Sequence, residues 1–347
     1  MLFLFSLYLL LCLYKLRPHL RTPDPDYMAP ERTQSIKGIF ILLVFFSHFN
    51  AFAVYDGAAD RLYYSIVRTF GQCMVAPFLF LSGYGIMESI RRKGPAYVRQ
   101  IPKNRVLKTL FPFAIAVVVF GLTLALLGYT FPLRIWLPAL IGWYSLGNSN
   151  WYIFVAVLMY LFTYISFRLL EGSKRYDIPA AGTALLTAAY VFLMARFGWK
   201  DYYWYDTALC YPLGLFFSLH RSRIEKLLAH DGAYFTVAAA LIAAAAAAKY
   251  FSANLYADIA CMLLFAMAVT VVSMRVTIGN RALRWAGEHL FQIYILQKLP
   301  MILLANFGFL QEHLALSFCL SLAVTLLLAE PFRRATAWLW SAIAERS

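Results

Sequence analysis

The sequence predicts an all-α fold, a polytopic transmembrane helical bundle of about 10–11 membrane helices. Three observations carry the prediction. Of 347 residues, 62% are hydrophobic and the mean hydropathy is +0.66, too apolar for an ordinary soluble domain. Apolar blocks long enough to cross the hydrocarbon core as helices recur along the chain, since about 20 helical residues do so. No ten-residue segments alternate as the strands of a lipid-facing barrel would.

Taken in order, the candidate spans are 2–14, 36–54, 64–90, 106–128, 151–170, 178–197, 206–219, 232–249, 254–274, 286–305 and 313–331. The first and seventh are short, and 131–147 reads as a surface-lying or re-entrant piece. Residues 1–16 form an extra N-terminal membrane anchor helix: the segment lacks the basic leader and small-residue cleavage site of a signal peptide. A Pro- and charge-rich cytoplasmic linker follows (17–35), then a membrane domain over 36–334 and a cytoplasmic amphipathic tail, 335–347. The alanine-rich run 238–249 reads as a helix face packed closely on a neighbour.

Charge sets the orientation. Placing 15–37, 91–108, 168–177, 220–230, 275–284 and the tail on one side gathers 24 of the 31 Lys and Arg there. Positive-inside then puts the N-terminus outside and the C-terminus in the cytoplasm of a multi-pass protein of a bacterial inner or cell membrane. The net charge of +14 is this topological signal plus attraction to membrane lipids, not the footprint of a nucleic-acid binder. Five scattered cysteines with no close CxxC pair point to buried thiols, with no disulfide framework and no metal site. No phosphate loop, Rossmann fingerprint or HExxH sequence occurs, and the His19–Asp24 spacing in the linker has no strand–helix context to give it meaning.

The chemistry-bearing feature is "IKGIFILLVFFSH" (36–48), in which ten non-ionisable residues separate Lys37 from His48. At about 100° and 1.5 Å per residue, the two differ by about 20° and stand about 16 Å apart on one helix face. An ionisable group at such depth faces a polar interior or cavity rather than lipid. A histidine there serves either helix packing or imidazole chemistry, as a general acid–base or a nucleophile, and position alone leaves both readings open.

Several fragments, taken in order, resemble the integral-membrane acyltransferase family 3. They are "RTQSIKGIFILLVFFSH" (32–48), "APFLFLSGYGIMESI" (76–90), "KNRVLKTLFPF" (103–113), "NWYIFVAVLMYLF" (150–162), "YPLGLFFSLHRSRIEKLL" (211–228), "GEHLFQIYILQ" (287–297) and "AEPF" (329–332). The resemblance covers residues 32–334. It departs from the family pattern at Lys37, where arginine is usual, at His289, where serine is common, and at Gln297, where a histidine is usual. It implies an O-acyltransferase of sugars with acyl-CoA, typically acetyl-CoA, as donor. Carried onto this chain, His48 becomes the catalytic residue, either as a general base or as a transient acyl acceptor. Arg32, Lys37, Arg105 and Lys108 become the acyl-CoA-binding set.

Residues 91–108 hold seven basic residues and no acid, either to keep the loop inside or to cradle the coenzyme A phosphates. Arg105 and Lys108, three apart at a helix start, share a face. Ser82, Tyr84 and Trp151 are candidates for the oxyanion partner such a reaction needs. Arg68, Glu288, Gln292 and Gln297 are further polar groups for the cavity, Glu288 and Gln292 lying a helical turn apart. The acceptor would be an envelope glycan or a lipid-linked sugar. Two rivals stand beside this reading: a secondary transporter or polysaccharide-export protein with a path lined by His48, Arg68 and Lys298, and a non-catalytic scaffold bound to an envelope-assembly partner.

Overall fold

A computed structural model of the chain describes all residues but 20, 21, 172, 174, 252, 253 and 345–347. The helices α1 (Leu2–Leu13), α2 (Pro30–Phe49) and α3 (Ala58–Phe70) open the chain, with a short strand β1 (Leu16–Pro18) between the first two. There follow α4 (Ala76–Lys93), α5 (Pro95–Ile101), α6 (Lys108–Leu126), α7 (Leu133–Leu140), α8 (Trp151–Leu169) and α9 (Asp177–Phe197). Next come α10 (Cys210–Leu227), α11 (Asp231–Tyr250), α12 (Leu255–Ser273) and a second strand, β2 (Val276–Ile278). The chain closes with α13 (Arg281–Glu288), α14 (Leu290–Leu296), α15 (Lys298–Asn306), α16 (Phe309–Glu312) and α17 (Leu314–Ala344). Among the described residues, seven helical stretches are long and apolar enough to cross a membrane. The protein is an all-α, multi-pass membrane bundle.

Several expected spans resolve differently, each for a local reason. Helix α2 starts at Pro30, a residue suited to a first turn because its missing N–H needs no partner there. It ends at Phe49, which places His48 in its last turn. The expected span 286–305 is broken twice, at His289 and at Gln297. Pro300 accounts for the second break, since it cannot donate to the Leu296 carbonyl and its ring crowds that turn. Helix α1, with 12 residues, spans about 18 Å and falls short of a hydrocarbon core of about 30 Å. The linker is not wholly irregular: β1 pairs antiparallel with β2, Arg17 opposite Thr277. The tail continues α17 as far as Ala344, and its last three residues lie outside the described set.

The segments that charge assigned to one side do meet on one face. Besides the β1–β2 pairing, Arg221 Nη2 donates to the Pro25 carbonyl at 3.2 Å. Arg99 pairs with Glu171 at 2.8 Å, and His220 lies 3.1 Å from Asp177. Arg275, nearly fully buried, pairs with Asp231 at 2.6 Å and stacks over Tyr234. Midway along α17, Glu330 gathers His289 (2.8 Å), Arg333 (2.6 Å) and Arg334 (2.5 Å). This is the basic face of the bundle.

Two helix pairs set the interior. Helix α2 crosses α13 where Gly38 meets the Leu283 carbonyl and Gly287 meets that of Gln34; a Cβ at either glycine would collide with backbone. Helix α4 crosses α10 the same way, through Gly83 against Tyr211 and Gly214 against Phe80. Without a hydrophobic drive between helices in lipid, such close approach supplies the packing that holds them. The alanine-rich α11 packs on α12 along a stripe that includes the buried Tyr234, Ala238 and Ala245. Replacing Gly83 by alanine is expected to destabilise the bundle by about 3 kcal/mol or prevent its assembly. Gly85→Ala, one turn-fraction away with open space around it, leaves the melting temperature in detergent unchanged or raises it.

Candidate functional site

The stretch between α7 and α8 is irregular yet buried at Leu146, Asn148, Ser149 and Asn150. Backbone of that kind is tolerated within a membrane protein only where protein groups satisfy it. Here they do. Ser145 Oγ donates to the Asn148 carbonyl at 2.6 Å, and the Leu146 N–H to Asn148 Oδ1 at 2.9 Å. Asn150 Nδ2 donates to the Gly142 carbonyl at 2.8 Å. Gly142 and Gly147 take φ values of +86° and +90°, which residues with a Cβ rarely adopt. Outside the loop, Lys200 Nζ donates to the Trp143 carbonyl at 2.8 Å and sits over the rings of Trp143, Tyr144 and Trp204. Burial among these rings lowers the Lys200 pKa from its ordinary value.

This braced loop presents Ser149 to His48. Ser149 Oγ and His48 Nδ1 share a hydrogen bond at 3.4 Å. The broken helix supplies the other side of the ring. Tyr294 stands 5.9 Å away, centroid to centroid, and the side chain of Gln297 lies against the imidazole. Gln297 Nε2 donates to the Tyr294 carbonyl at 3.2 Å, while its buried Oε1 has no hydrogen-bond partner. Lys298 is the charged group that acts on His48. Among the described residues no carboxylate pairs with His48, whereas His220 and His289 each have one. A carboxylate–histidine dyad is therefore not the arrangement at this ring.

A run of phenols leads from His48 toward the basic face. Tyr294 packs on Tyr152 at 5.5 Å, and Tyr152 neighbours Tyr160. Tyr160 Oη lies 2.9 Å from Ser82 Oγ and packs on Tyr211 at 6.1 Å. Beyond them, Arg105 Nε donates to Tyr97 Oη at 2.9 Å, with Tyr160 and Tyr211 also beside it. Arg105 is in turn the charge that acts on Lys37. The two ends of the α2 stripe thus meet different surroundings: the charge of Arg105 reaches Lys37, and His48 faces the loop and the broken helix.

The expected residues do not all gather there. Ser82, Gln297, Lys37 and Arg105 belong to this run. Arg105 sits in a π-helical turn, Pro102–Leu107, and is half-buried; Lys108, at the start of α6, is exposed, so the wider turn separates the pair. Arg32 pairs with Asp24 at 3.2 Å beside the β1–β2 ribbon. Tyr84 Oη accepts from Arg221 Nη1 at 2.8 Å on the basic face. Trp151 packs on Tyr203 at 6.0 Å, next to the braced loop. Arg68 is exposed and lines a separate polar cavity on the opposite face. Glu288 is exposed and Gln292 buried, because the break at His289 intervenes. Among the described residues no three of His, Cys, Asp and Glu converge as a metal-holding group.

Sequence reasoning missed Ser149, Tyr294 and Glu330. The polar run "GNSN" inside an apolar region was the available signal for Ser149. Glu330, the acid of "AEPF", ties α17 to the break at His289 rather than reaching the interior ring.

A half-buried imidazole thus lies between a polar loop and a broken helix inside the membrane bundle, with a run of phenols leading from it to the basic face. The chain belongs to the acyltransferase domain family, whose model it matches over residues 34–331; α1 and β1 precede the match. No curated protein and no solved structure matches the chain. The protein is a multi-pass membrane acyltransferase, with the acyl donor and acceptor that such an enzyme implies.

Asp24, which holds Arg32, gives a pH test on this face. Burial would raise its pKa, but hydrogen bonds from Thr277 and the Asp26 N–H, with the charge of Arg32, outweigh burial and lower it. A depressed carboxyl stabilises the fold fully above its unfolded pKa of about 4, and that contribution fades as pH falls through the lower folded value. Asp24→Asn is expected to cost about 2 kcal/mol at pH 7. Melting curves in detergent should show the gap to wild type narrowing only below about pH 4.

Proposed function

We propose that the protein moves an acyl group, specifically acetyl, from cytosolic acyl-CoA to a hydroxyl of a cell-envelope glycan or glycolipid. The observation that supports this most is the line of polar groups running from the Lys37–Arg105 rim through Tyr160 and Tyr152 to Tyr294 and His48. Coenzyme A carries several phosphates and remains in the cytosol, on the side that positive-inside assigns to the basic face. Lys37, Arg105 and the exposed Lys108 would provide charge-assisted contacts to it, Arg105 pre-set by Tyr97. Arg32 is tied to Asp24 and would shape the rim rather than bind phosphate.

With the pantetheine arm along the phenols, the thioester carbonyl meets His48. The ring takes the proton of the acceptor hydroxyl, and the freed oxygen attacks the thioester carbon. The C–S bond then breaks, coenzyme A leaves as thiolate, and the proton on His48 passes to it. Ser149 holds the ring in one orientation through Nδ1, the role a carboxylate has elsewhere. Tyr294, whose buried hydroxyl has no hydrogen-bond partner and whose ring packs on the imidazole, is the donor for the tetrahedral oxygen, whereas Ser82 is held by Tyr160 farther along the run.

The test is transfer of radiolabel from acetyl-CoA to envelope glycans by purified protein in lipid nanodiscs. His48→Ala is expected to lose about 10²–10⁴ of the rate with its melting temperature kept. Arg105→Ala should raise KM for acetyl-CoA about tenfold with little change in kcat, the signature of lost donor binding. Transfer by His48→Ala at the wild-type rate would overturn the assignment of that residue. Uptake of glycan with no donor present would instead support a transporter.

A further inference from the structure

Helix α2 has a second working face. Measured around the helix, the glycine that meets α13 lies about 90° from His48 on one side, and Ser47, Ile36 and Phe40 cluster about 90° away on the other. That second face borders two cavities, one above the other. The first, about 580 Å³, is an apolar groove between α2 and α3 on one wall and α11 and α12 on the other; Ile36, Phe40, Ile242, Ala246 and Phe265 line it. It begins at the basic-face end of the bundle, beside Val276 and Ile278. The second, about 800 Å³, is polar and lies at the opposite end; Asn50, Arg68, Gln72, Asp206 and Asp258 line it, with Ser47 beside His48 in the chain.

Lys249 belongs to both. It stands near the end of α11, about 27 Å along the helix from Asp231 on the basic face. Among the described residues no hydrogen bond or ion pair within 4 Å holds Lys249, and none holds Arg68. Asp206 is 1% exposed, and its Oδ1 lacks a hydrogen-bond partner although the residue lines the polar cavity. Carboxylates, amides and an arginine around tyrosines 64 and 202 are the side chains that satisfy the hydroxyls and ring faces of a sugar.

We infer that the two cavities form one binding site for a lipid-linked sugar, its chain in the groove between α2 and α12, an anionic phosphate at Lys249, and its sugar in the polar cavity beside Ser47. The order of chemistry decides the occupant. An apolar slot, then a cation with no ion pair within 4 Å, then a cluster of hydrogen-bonding groups matches chain, phosphate and sugar in sequence. A free sugar would leave the groove and Lys249 unused, and a plain phospholipid would leave Asp206 Oδ1 without a hydrogen bond. The site deepens the proposed function, and rests on it, in naming the acceptor class; as a lipid site it stands by itself. The sugar would lie next to the last turn of α2, a quarter-turn from the imidazole.

The test reads binding with no acyl donor present. Full-length protein in phosphatidylcholine nanodiscs is titrated with tritiated glucosyl hexadecyl phosphate and, separately, with neutral hexadecyl glucoside. Wild type is expected to bind the phosphate probe at least tenfold more tightly than the neutral one. Lys249→Ala should abolish that preference and Lys249→Arg restore it. Ala246→Trp, which fills the groove from an exposed position, should weaken the phosphate probe at least tenfold, with Ile242→Trp as the second filling variant. Equal affinity of wild type for both probes, or unchanged affinity in both tryptophan variants, overturns the site. Binding as expected by a protein that transfers no acyl group would overturn the proposed function and leave this site standing.

Discussion

The crossing of α2 over α13 is the contact on which the rest of the interior depends. Gly38 and Gly287 each press against a backbone carbonyl of the other helix, so the axes lie closer than any side chain would allow. That approach fixes the rotation of α2. With one side committed to α13, the Lys37–His48 stripe turns toward α8 and the broken helix, and the remaining side is left to the groove. A rotation of α2 by about a quarter-turn would carry the imidazole into that groove and the glycine face into the phenols.

Breaks in regular structure supply the partners of the ring. An unbroken tenth helix would spend its backbone groups on itself and hold its side chains in fixed radial positions. Pro300 prevents this, and the interruption lets Gln297 and Lys298 sit beside His48 while the Gln297 amide bonds the Tyr294 carbonyl. The loop before α8 is the counterpart on the other wall. Its hydrogen bonds are internal, it is pinned by Lys200, and so it can present a serine at depth without exposing unpaired backbone to lipid.

The basic face is held by charge pairing of a different kind. The β1–β2 ribbon, Asp24 with Thr277, and Glu330 with His289 join segments far apart in the chain. These contacts keep the rim that bears Arg105 in register with the helices below it. Arg105 differs from its neighbours because a π-helical turn carries it inward to Tyr97, whereas Lys108 remains in solvent.

Hydropathy, block length and the asymmetry of Lys and Arg made the membrane bundle legible in the sequence, because each reports a property of single segments in a bilayer. The ordered fragments likewise carried the family, and the spacing of Lys37 and His48 placed both on one stripe, since helical periodicity is local. What faced that stripe was not local. Ser149 lies 101 residues from His48 and Gln297 far beyond it, so only the assembled bundle joined them. The separation of Arg105 from Lys108, the exposure of Glu288 against the burial of Gln292, and the tie between Arg32 and Asp24 were decided there too. A sequence states which groups must avoid lipid; the packing of helices against one another chooses the neighbours they find.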